Sequence, residues 1–231
     1  DTVMNIRNGA IYYWEYDATF SSRCVLLSSL VGASDVPDEA MQILVSQNDK
    51  HLLAFGCTPY TFSSPTFDPL LIRWADQDDP LDWTPTTTNS AGFLRLSNGD
   101  SIKRAIRTRQ EILVWTQSTL VSLQFLGTTD VFGIQELAGN ISLFGPRAIS
   151  TINNTTYWMG VDKFYFYDGR VNTLPCSIRD YIFKDINYDQ FDQIVSGTNE
   201  GWNEIWWFYP SAQSNVNDRY AIYNFLEQIW Y

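Results

Sequence analysis

The 231-residue sequence has one histidine, three widely spaced cysteines and no long apolar segment. With His51 as the single imidazole, a zinc site built on paired histidines is excluded, and the cysteine spacing does not suit a four-cysteine site. The odd number of cysteines argues against a disulfide framework and favours reduced, buried thiols at Cys24, Cys57 and Cys176. No apolar run approaches the roughly 18 residues that a membrane-spanning helix requires, so no membrane partner is predicted.

Positive charge is also scarce. The chain has 15 Lys and Arg against 26 Asp and Glu, which gives a net charge of −11. A protein that holds nucleic acid by its phosphates needs clustered basic residues, and this sequence has only 15 basic residues and no continuous run of them. An acidic chain can still lie beside DNA, but as a repelling wall.

Motifs for catalysis or nucleotide binding are missing as well. GxSxG, GxGxxG and the P-loop pattern do not occur, and any nucleophile–base pair would have to use His51, which we interpret as a surface or turn histidine. A glycoside hydrolase remains an alternative, because it needs only two carboxylates about 5–9.5 Å apart. We predict no enzymatic activity and no cofactor; the carboxylates open to the alternative are Asp76, Asp79, Asp162, Asp168, Glu200 and Glu204.

What the sequence does contain is a repeated strand–turn–strand pattern. Aromatic residues make up 16% of the chain, which favours strands, and short apolar runs end at Asn, Asp, Gly or Pro. Units of about 40–50 residues with four strands are typical of propeller blades. We predict one all-β, β-propeller-like domain over 1–231 with four-stranded blades, an insert at 68–90, a short helix near 177–187 and blade-like repeats near 42–57, 101–127, 146–169 and 192–231.

The segment 153–169, NNTTYWMGVDKFYFYDG, places aromatic runs on both sides of a short polar turn. An aromatic binding pocket is one interpretation of it. We favour the two inner strands of one blade joined by the GVDK turn, because strands covered on both faces are apolar throughout. The corresponding inner strands are expected near 52–55, 112–115, 157–159 and 205–208, with the side chains of Trp115, Trp158 and Trp206 buried.

The segment DPLLIRWADQDDPLDWTP is rich in aspartate. Several carboxylates close together could hold a hard cation such as Ca²⁺, which prefers oxygen ligands. The segment lacks the Gly and the closing Glu of an EF-hand loop, and Asp next to Pro is typical of turns. We therefore interpret the carboxylates as turn-forming and predict no metal.

Several segments between 68 and 231 have a recognisable arrangement. They are DPLLIRWADQDDPLDWTPTTTNSAGFLRLSNGDSI, TRQEILVWTQSTLVSLQF, NTTYWMGVDKFYFYDGRVNTLPCSIRDYIF, GTNEGWNEIWWFYPS and NDRYAIYNFLEQIWY. Together they resemble bacteriophage tail proteins of the nozzle, or tail tubular protein B, type. Before residue 68 only IYYWEYD and KHLLAFG fit. Family members are usually longer, and this chain starts without Met, so we expect it to be part of a longer protein.

The resemblance implies a structural virion protein of the phage tail, assembled in the bacterial cytoplasm. Such a subunit forms a ring, expected to be a hexamer, which continues the DNA conduit below the portal and adaptor and helps to retain and eject the genome. Its partners would be the adaptor or head-to-tail connector, other tail proteins and double-stranded DNA that passes without specific binding. The alternative is a stand-alone β-propeller that binds or hydrolyses glycans.

A ring needs contacts between subunits, and insertions in repeat folds lie on one face. We predict that loops at 76–89 and 211–218 supply these contacts. The residues expected there are Asp76, Asp78, Asp79, Asp82, Asn217 and Asp218.

Overall fold

The computed structural model describes residues 1–46, 49–60, 66–128 and 130–231. Strands make up about 44% of the protein and helices about 8%. The prediction of an all-β fold is confirmed. Gln47 and Asn48, half of the turn QNDK in the first predicted repeat, lie outside the described residues.

The described strands form one three-stranded and four four-stranded antiparallel sheets, and neighbours in each sheet are neighbours in the chain. The first sheet consists of β1 (Thr2–Asn5), β2 (Ile11–Trp14) and β3 (Val25–Leu26). The second consists of β4 (Ala40–Val45), β5 (Leu52–Cys57), β6 (Asp68–Trp74) and β7 (Gly92–Arg95). The third consists of β8 (Ile102–Arg107), β9 (Ile112–Thr116), β10 (Thr119–Phe125) and β11 (Phe132–Gly139).

Two further sheets complete the fold. The fourth consists of β12 (Ile149–Ile152), β13 (Thr155–Met159), β14 (Phe164–Tyr167) and β15 (Val171–Leu174). The fifth consists of β16 (Val195–Asn199), β17 (Glu204–Tyr209), β18 (Arg219–Asn224) and β19 (Ile229–Trp230). Such simple four-stranded meanders are the form of propeller blades. Closure of the sheets around one axis stays a prediction.

First strands of successive sheets bond to each other. Gln42 on β4 donates to the carbonyl of Ala105 on β8 at 2.7 Å and accepts from its N–H at 2.9 Å. Just before β12, the Arg147 carbonyl accepts from the N–H of Ser196 on β16 at 2.9 Å. Contacts of this kind are expected where blades pack side by side.

The four predicted inner strands are confirmed as the second strands of the four-stranded sheets, β5, β9, β13 and β17. All side chains of β5 and β9 are buried, which explains why these strands lack polar alternation. The GVDK turn joins β13 to β14, with Trp158 opposite Tyr165. The interpretation of the aromatic runs as paired inner strands is therefore correct.

The segment 68–90 is not wholly an insert. Its first residues form β6, the third strand of the second sheet, in which Ile72 pairs with Phe55 and Trp74 with Leu53. Residues 75–91 are the connection from β6 to β7. The long spacing in the sequence therefore comes from a long loop between the third and fourth strands.

The short helix is present as α1 (Arg179–Lys184), and three 3₁₀ turns lie at Leu27–Ser29, Tyr188–Gln193 and Glu200–Trp202. In α1 the side chain of Ile182 is buried, and the Lys184 ammonium donates to the Asp180 carboxylate one turn earlier at 3.1 Å. Among the described residues, no helix has the length and apolar character needed to cross a membrane.

The chain divides into two compact units. The first comprises 1–107, 111–114 and 123–134, and its core includes Ile11, Leu27 and Trp83. The second comprises 108–110, 115–122 and 135–231, and the rings of Trp115 and Trp158 meet edge to face inside it, 5.4 Å apart.

Burial of the three landmark tryptophans is confirmed for two of them. Trp115 and Trp158 are fully buried, but Trp206 is only partly buried, and its neighbour Trp207 fills the core instead. Side chains alternate between the faces of a strand, so the two adjacent tryptophans of β17 must point in opposite directions.

Candidate functional site

The acidic loop after β6 is closed by its own hydrogen bonds. The Asp76 N–H donates to the Asp82 carbonyl at 2.8 Å, and the Asp76 carboxylate accepts from the N–H and hydroxyl of Ser90 at 2.7 and 2.5 Å. Burial raises the pKa of Asp76, but these hydrogen bonds outweigh it, so the pKa lies below its usual value. Asp76 is therefore an ionised anchor of the loop.

Asp82 anchors the same loop from its other end. Its carboxylate accepts from the Ser34 hydroxyl at 2.7 Å, the Asn89 amide at 2.8 Å and the Thr84 N–H at 3.2 Å. Burial raises the pKa of Asp82, and these three donors lower it more strongly. The Asp82 carboxylate therefore links the loop to Ser34 and stabilises the fold of the chain.

Asp78 and Asp79 are the exposed members of the loop. Asp79 accepts from the Leu81 N–H at 2.9 Å in an Asx turn, and Asp78 forms a surface ion pair of 3.0 Å with Lys50. No group of three or more His, Cys, Asp or Glu in the described part of the chain could hold a metal ion. The loop therefore has the turn chemistry that its Asp and Pro residues indicate.

The 211–218 loop is organised in the same way. The Asp218 carboxylate accepts from the N–H and hydroxyl of Ser211 at 2.7 and 2.8 Å. Both hydrogen bonds lower the pKa of Asp218, and the bond from the backbone N–H has the larger effect. Asn217 donates to the Gln193 carbonyl at 2.7 Å. The six predicted contact residues thus all bond within the chain, and their role between subunits stays a prediction.

The interpretation of His51 as a surface histidine is wrong. The side chain is fully buried, with Nδ1 2.8 Å from the Ala75 carbonyl and the ring 5.8 and 5.4 Å from those of Phe125 and Phe132. Nε2 has no hydrogen-bond partner among the described residues. The strand that follows His51 is buried from its first residue, and the imidazole is enclosed with it. Its surroundings are aromatic rings and a backbone carbonyl, which suit packing.

A buried arginine is the main polar feature that the sequence did not reveal. Arg73 on β6 is 1% exposed, and it donates to the carbonyls of Thr58 at 2.9 Å and Asp35 at 2.6 Å. Its guanidinium also lies 3.4 Å from the Asp35 carboxylate and 3.9 Å from the centre of the Tyr60 ring. Burial raises the pKa of Tyr60 to about 12, which keeps this ring neutral. The one available signal was a single Arg within the apolar run PLLIRW.

The cysteines differ in their surroundings. Burial raises the pKa of Cys57 to about 12 and that of Cys176 to about 11, so both are poor nucleophiles. Cys24 is exposed, which corrects the expectation that all three are buried, because it follows a surface loop and precedes the two-residue edge strand β3. All three thiols are free.

The carboxylates considered for glycoside hydrolysis are mostly held by other groups. Asp162 pairs with Arg179 at 3.6 Å, Glu204 accepts from the indole N–H of Trp206 at 2.9 Å, and Asp168 accepts from the Arg170 N–H at 3.4 Å. Glu200 is exposed in a 3₁₀ turn. These contacts give the carboxylates structural roles.

An apolar groove lies along β1, β2 and the loop after β2. Its volume is about 770 Å³, and the residues that matter here are Met4, Ile6, Tyr12, Trp14, Phe20 and Arg23. Trp14 and Phe20 stack 5.8 Å apart at an interplanar angle of 5°. Asp17 holds the loop by accepting from Thr19 and Ser21, and these bonds place its pKa well below the usual value. We call this feature the first-sheet groove.

A second aromatic surface lies on one face of the last sheet. Trp206 is 5.8 Å from Phe208 and 5.4 Å from Tyr220, measured between ring centres. Phe208 is 37% exposed and Tyr220 is 58% exposed. We call the three rings the outer platform. The sequence pattern predicts Trp206 in the core and therefore does not indicate this surface.

Comparison with known proteins adds no relative: no protein-family model matches the chain, and no match is found among curated proteins.

Proposed function

We propose that the protein is a structural subunit of a phage tail, which assembles into a ring around the DNA path below the portal and adaptor. The observation that carries this proposal is the exposed aromatic surface at the first-sheet groove and the outer platform. Phe20 is 74% exposed and stacks on Trp14, and Tyr220 is 58% exposed and lies beside Trp206, so each surface groups neighbouring rings. Extended apolar patches on a protein surface mark sites of interaction.

The charge supports the same function. A net charge of −11 repels DNA phosphates, which lets a duplex move past the protein without being held. Carboxylates such as those of Asp76 and Asp218 are fixed by hydrogen bonds that lower their pKa, so they are ionised at neutral pH and stay ionised in mildly acidic solution. A conduit wall needs this property.

The polar residues with unusual surroundings support packing. His51 lies against two Phe rings, and Arg73 is bonded to two carbonyls and one carboxylate. In each case the side chain joins segments that are distant in the sequence. This arrangement suits a rigid part of an assembly, expected to be a hexamer that contacts the adaptor and other tail proteins.

Glycan binding is the second candidate, and the outer platform is the observation in its favour. Neighbouring exposed rings can stack against the apolar faces of sugars. The polar groups beside these rings are already bonded within the chain: Glu204 to Trp206, and Asn224 to Trp202. We rank this function second because a sugar also needs free hydrogen-bonding groups.

Imaging of the assembled particle tests the proposed function. With this protein tagged, density should appear as a ring around the DNA path, and the isolated protein should not bind duplex DNA tightly at physiological salt. A single copy away from the DNA path contradicts the proposal. So does tight DNA binding with a steep salt dependence, because such binding requires many phosphate contacts.

A further inference from the structure

The outer platform is the outward face of an otherwise well-packed sheet. On β17, Ile205, Trp207 and Tyr209 point inward and are buried, whereas Trp206 and Phe208 alternate with them and point outward. Tyr220 on β18 pairs directly with Phe208 and extends the outward surface. The three rings therefore form one continuous apolar area.

The strand beside Trp206 leaves the indole uncovered. Gly197 on β16 pairs with Trp206, and a Cβ atom at this position would have no heavy atom within 4 Å. The space over the platform is open on that side as well. A flat partner could approach all three rings.

The preceding sheet shows what such a face does within this chain. Phe164 on β14 lies 4.9 Å from Trp207 and 4.6 Å from Trp230, and Tyr157 on β13 lies 6.1 Å from Tyr223. These contacts pack the fourth sheet against the inward face of the fifth. The outer platform presents rings at comparable positions, on the second and third strands, and it is exposed. Its composition is therefore that of a sheet-packing surface.

Polar groups around the platform are satisfied internally. The Glu204 carboxylate accepts from the Trp206 indole at 2.9 Å. Asn224 donates to the Trp202 carbonyl at 3.1 Å and accepts from the N–H groups of Leu226 and Glu227 at 3.1 and 2.9 Å. One oxygen of Glu204 takes this hydrogen bond, and the negative charge of the carboxylate remains. A partner that brings apolar groups and one cation therefore suits this surface better than a partner that needs many free donors and acceptors.

The first-sheet groove has the complementary character. It is apolar, with Arg23 as its charged residue and no carboxylate along its lining. The platform carries Glu204 beside its rings. Rings opposite an apolar groove provide hydrophobic contact, and a carboxylate opposite a guanidinium provides electrostatic complementarity, which favours specific association.

We propose that the outer platform of one molecule docks into the first-sheet groove of a second copy, with Glu204 near Arg23. This contact is heterologous, because different surfaces of the two copies meet, and repetition of it produces a ring or a filament. The inference rests on the proposed assembly function and names the surfaces that serve it. The loops at 76–89 and 211–218 are then not needed for the contact.

The first test removes two aromatic side chains of the outer platform. The double variant Phe208→Ser and Tyr220→Ser should weaken self-association of the full chain at least about tenfold, measured by sedimentation equilibrium, since interface aromatics carry much of the binding energy. Phe93→Ser is the matched control, because Phe93 is 54% exposed but lies on β7, in a different sheet. Equal association of the double variant and the unaltered protein overturns the proposal, as does an unaltered protein that stays monomeric at every concentration.

A charge exchange tests the pairing of the two surfaces. Glu204→Arg and Arg23→Glu should each weaken association, because each places like charges together. A mixture of the two variants should restore it, because each copy then meets the opposite charge at both of its surfaces. A misfolded variant could not be restored by mixing. Failure of the mixture to associate overturns the proposal.

These tests distinguish failure of the docking inference from failure of the proposed function. A tail ring whose formation is unaffected by all four substitutions overturns this inference and leaves the proposed function standing. Restored association of the charge-exchanged pair, with the protein absent from the DNA path, supports this inference and overturns the proposed function. Quenching of tryptophan fluorescence by a soluble polysaccharide, lost in Trp206→Ala, would assign the platform to glycan binding and overturn the inference.

Discussion

The two faces of the β16–β19 sheet carry similar residues in different surroundings. The inward face has Trp207 and Tyr209, which are 0% and 1% exposed, and the outward face has Phe208 and Tyr220, which are 37% and 58% exposed. Trp206 and Trp207 are adjacent in sequence but differ in burial. Aromatic content alone therefore does not separate a core from a binding surface, because the position of each ring relative to the neighbouring sheet decides its role.

The largest expected effect comes from truncating one tryptophan on each face. Trp207→Ala should lower the free energy of unfolding by about 3–5 kcal/mol, because it leaves a cavity between two sheets. Trp206→Ala should cost about 1 kcal/mol or less, because its ring is partly in water. Urea denaturation of both variants measures the difference. Equal losses would show that the two faces are packed alike.

A buried and an exposed ion pair extend the contrast to charged side chains. Arg73→Met breaks the contact with Asp35 and leaves that carboxylate mostly enclosed, so we expect a loss of about 3 kcal/mol. Lys50→Met removes the exposed pair with Asp78 and should cost under about 1 kcal/mol. Thermal and urea unfolding of both variants test the prediction. A small effect of Arg73→Met would mean that the cation is not anchored by its carbonyl partners.

The acidic loop gives a smaller, pH-dependent effect. Asp76 has a lowered pKa in the folded protein, so its contribution is present above the unfolded-state pKa of about 3.9 and is lost as the pH falls through the folded-state value. Asp76→Asn should cost about 1 kcal/mol at neutral pH, because it weakens the hydrogen bonds from Ser90, and it should flatten the loss of stability below about pH 4. Ser90→Ala, which removes one donor to Asp76, should change the profile in the same direction. An unchanged acid profile in both variants would contradict this assignment.

The smallest expected effect lies on the outer platform. Tyr220→Ser should change the free energy of unfolding by about 0.5 kcal/mol or less, because its ring is largely in solvent, and Phe208→Ser should cost about 1 kcal/mol or less, because its side chain is 37% exposed. Circular dichroism during thermal unfolding measures this. A loss as large as that of Trp207→Ala would mean that the platform stabilises the single chain, and the contrast between the two faces would not hold.

Much of the strand pattern could be predicted because it depends on local sequence. Apolar runs bounded by turn residues located the second strand of each four-stranded sheet, and the apolar spacing near 177–187 located α1. The segment 68–74 was assigned to an insert because its strand is followed by a long loop, which broke the regular spacing. The turn role of the aspartates at 76–82 was recognised because Asp beside Pro acts locally.

The candidate surfaces were harder to predict. Trp206 and Trp207 are indistinguishable by residue type, and a shift of one position reverses which of them faces the core. His51 was taken as exposed because histidine often is, but its strand is covered by Phe125 and Phe132, which are far away in the sequence. Arg73 donates to backbone carbonyls in two other segments, and no local sequence pattern predicts such contacts.

The sequence by itself determined that this protein is built from short strands and turns, that it is acidic, and that its apolar residues suffice for packed sheets. These properties follow from residue type and spacing over a few neighbouring positions. Tertiary structure alone decided which ring of each strand meets another sheet, which of the polar residues are enclosed, and which aromatic surfaces remain exposed. Burial depends on contacts between residues that are distant in the sequence, and local periodicity does not specify those contacts.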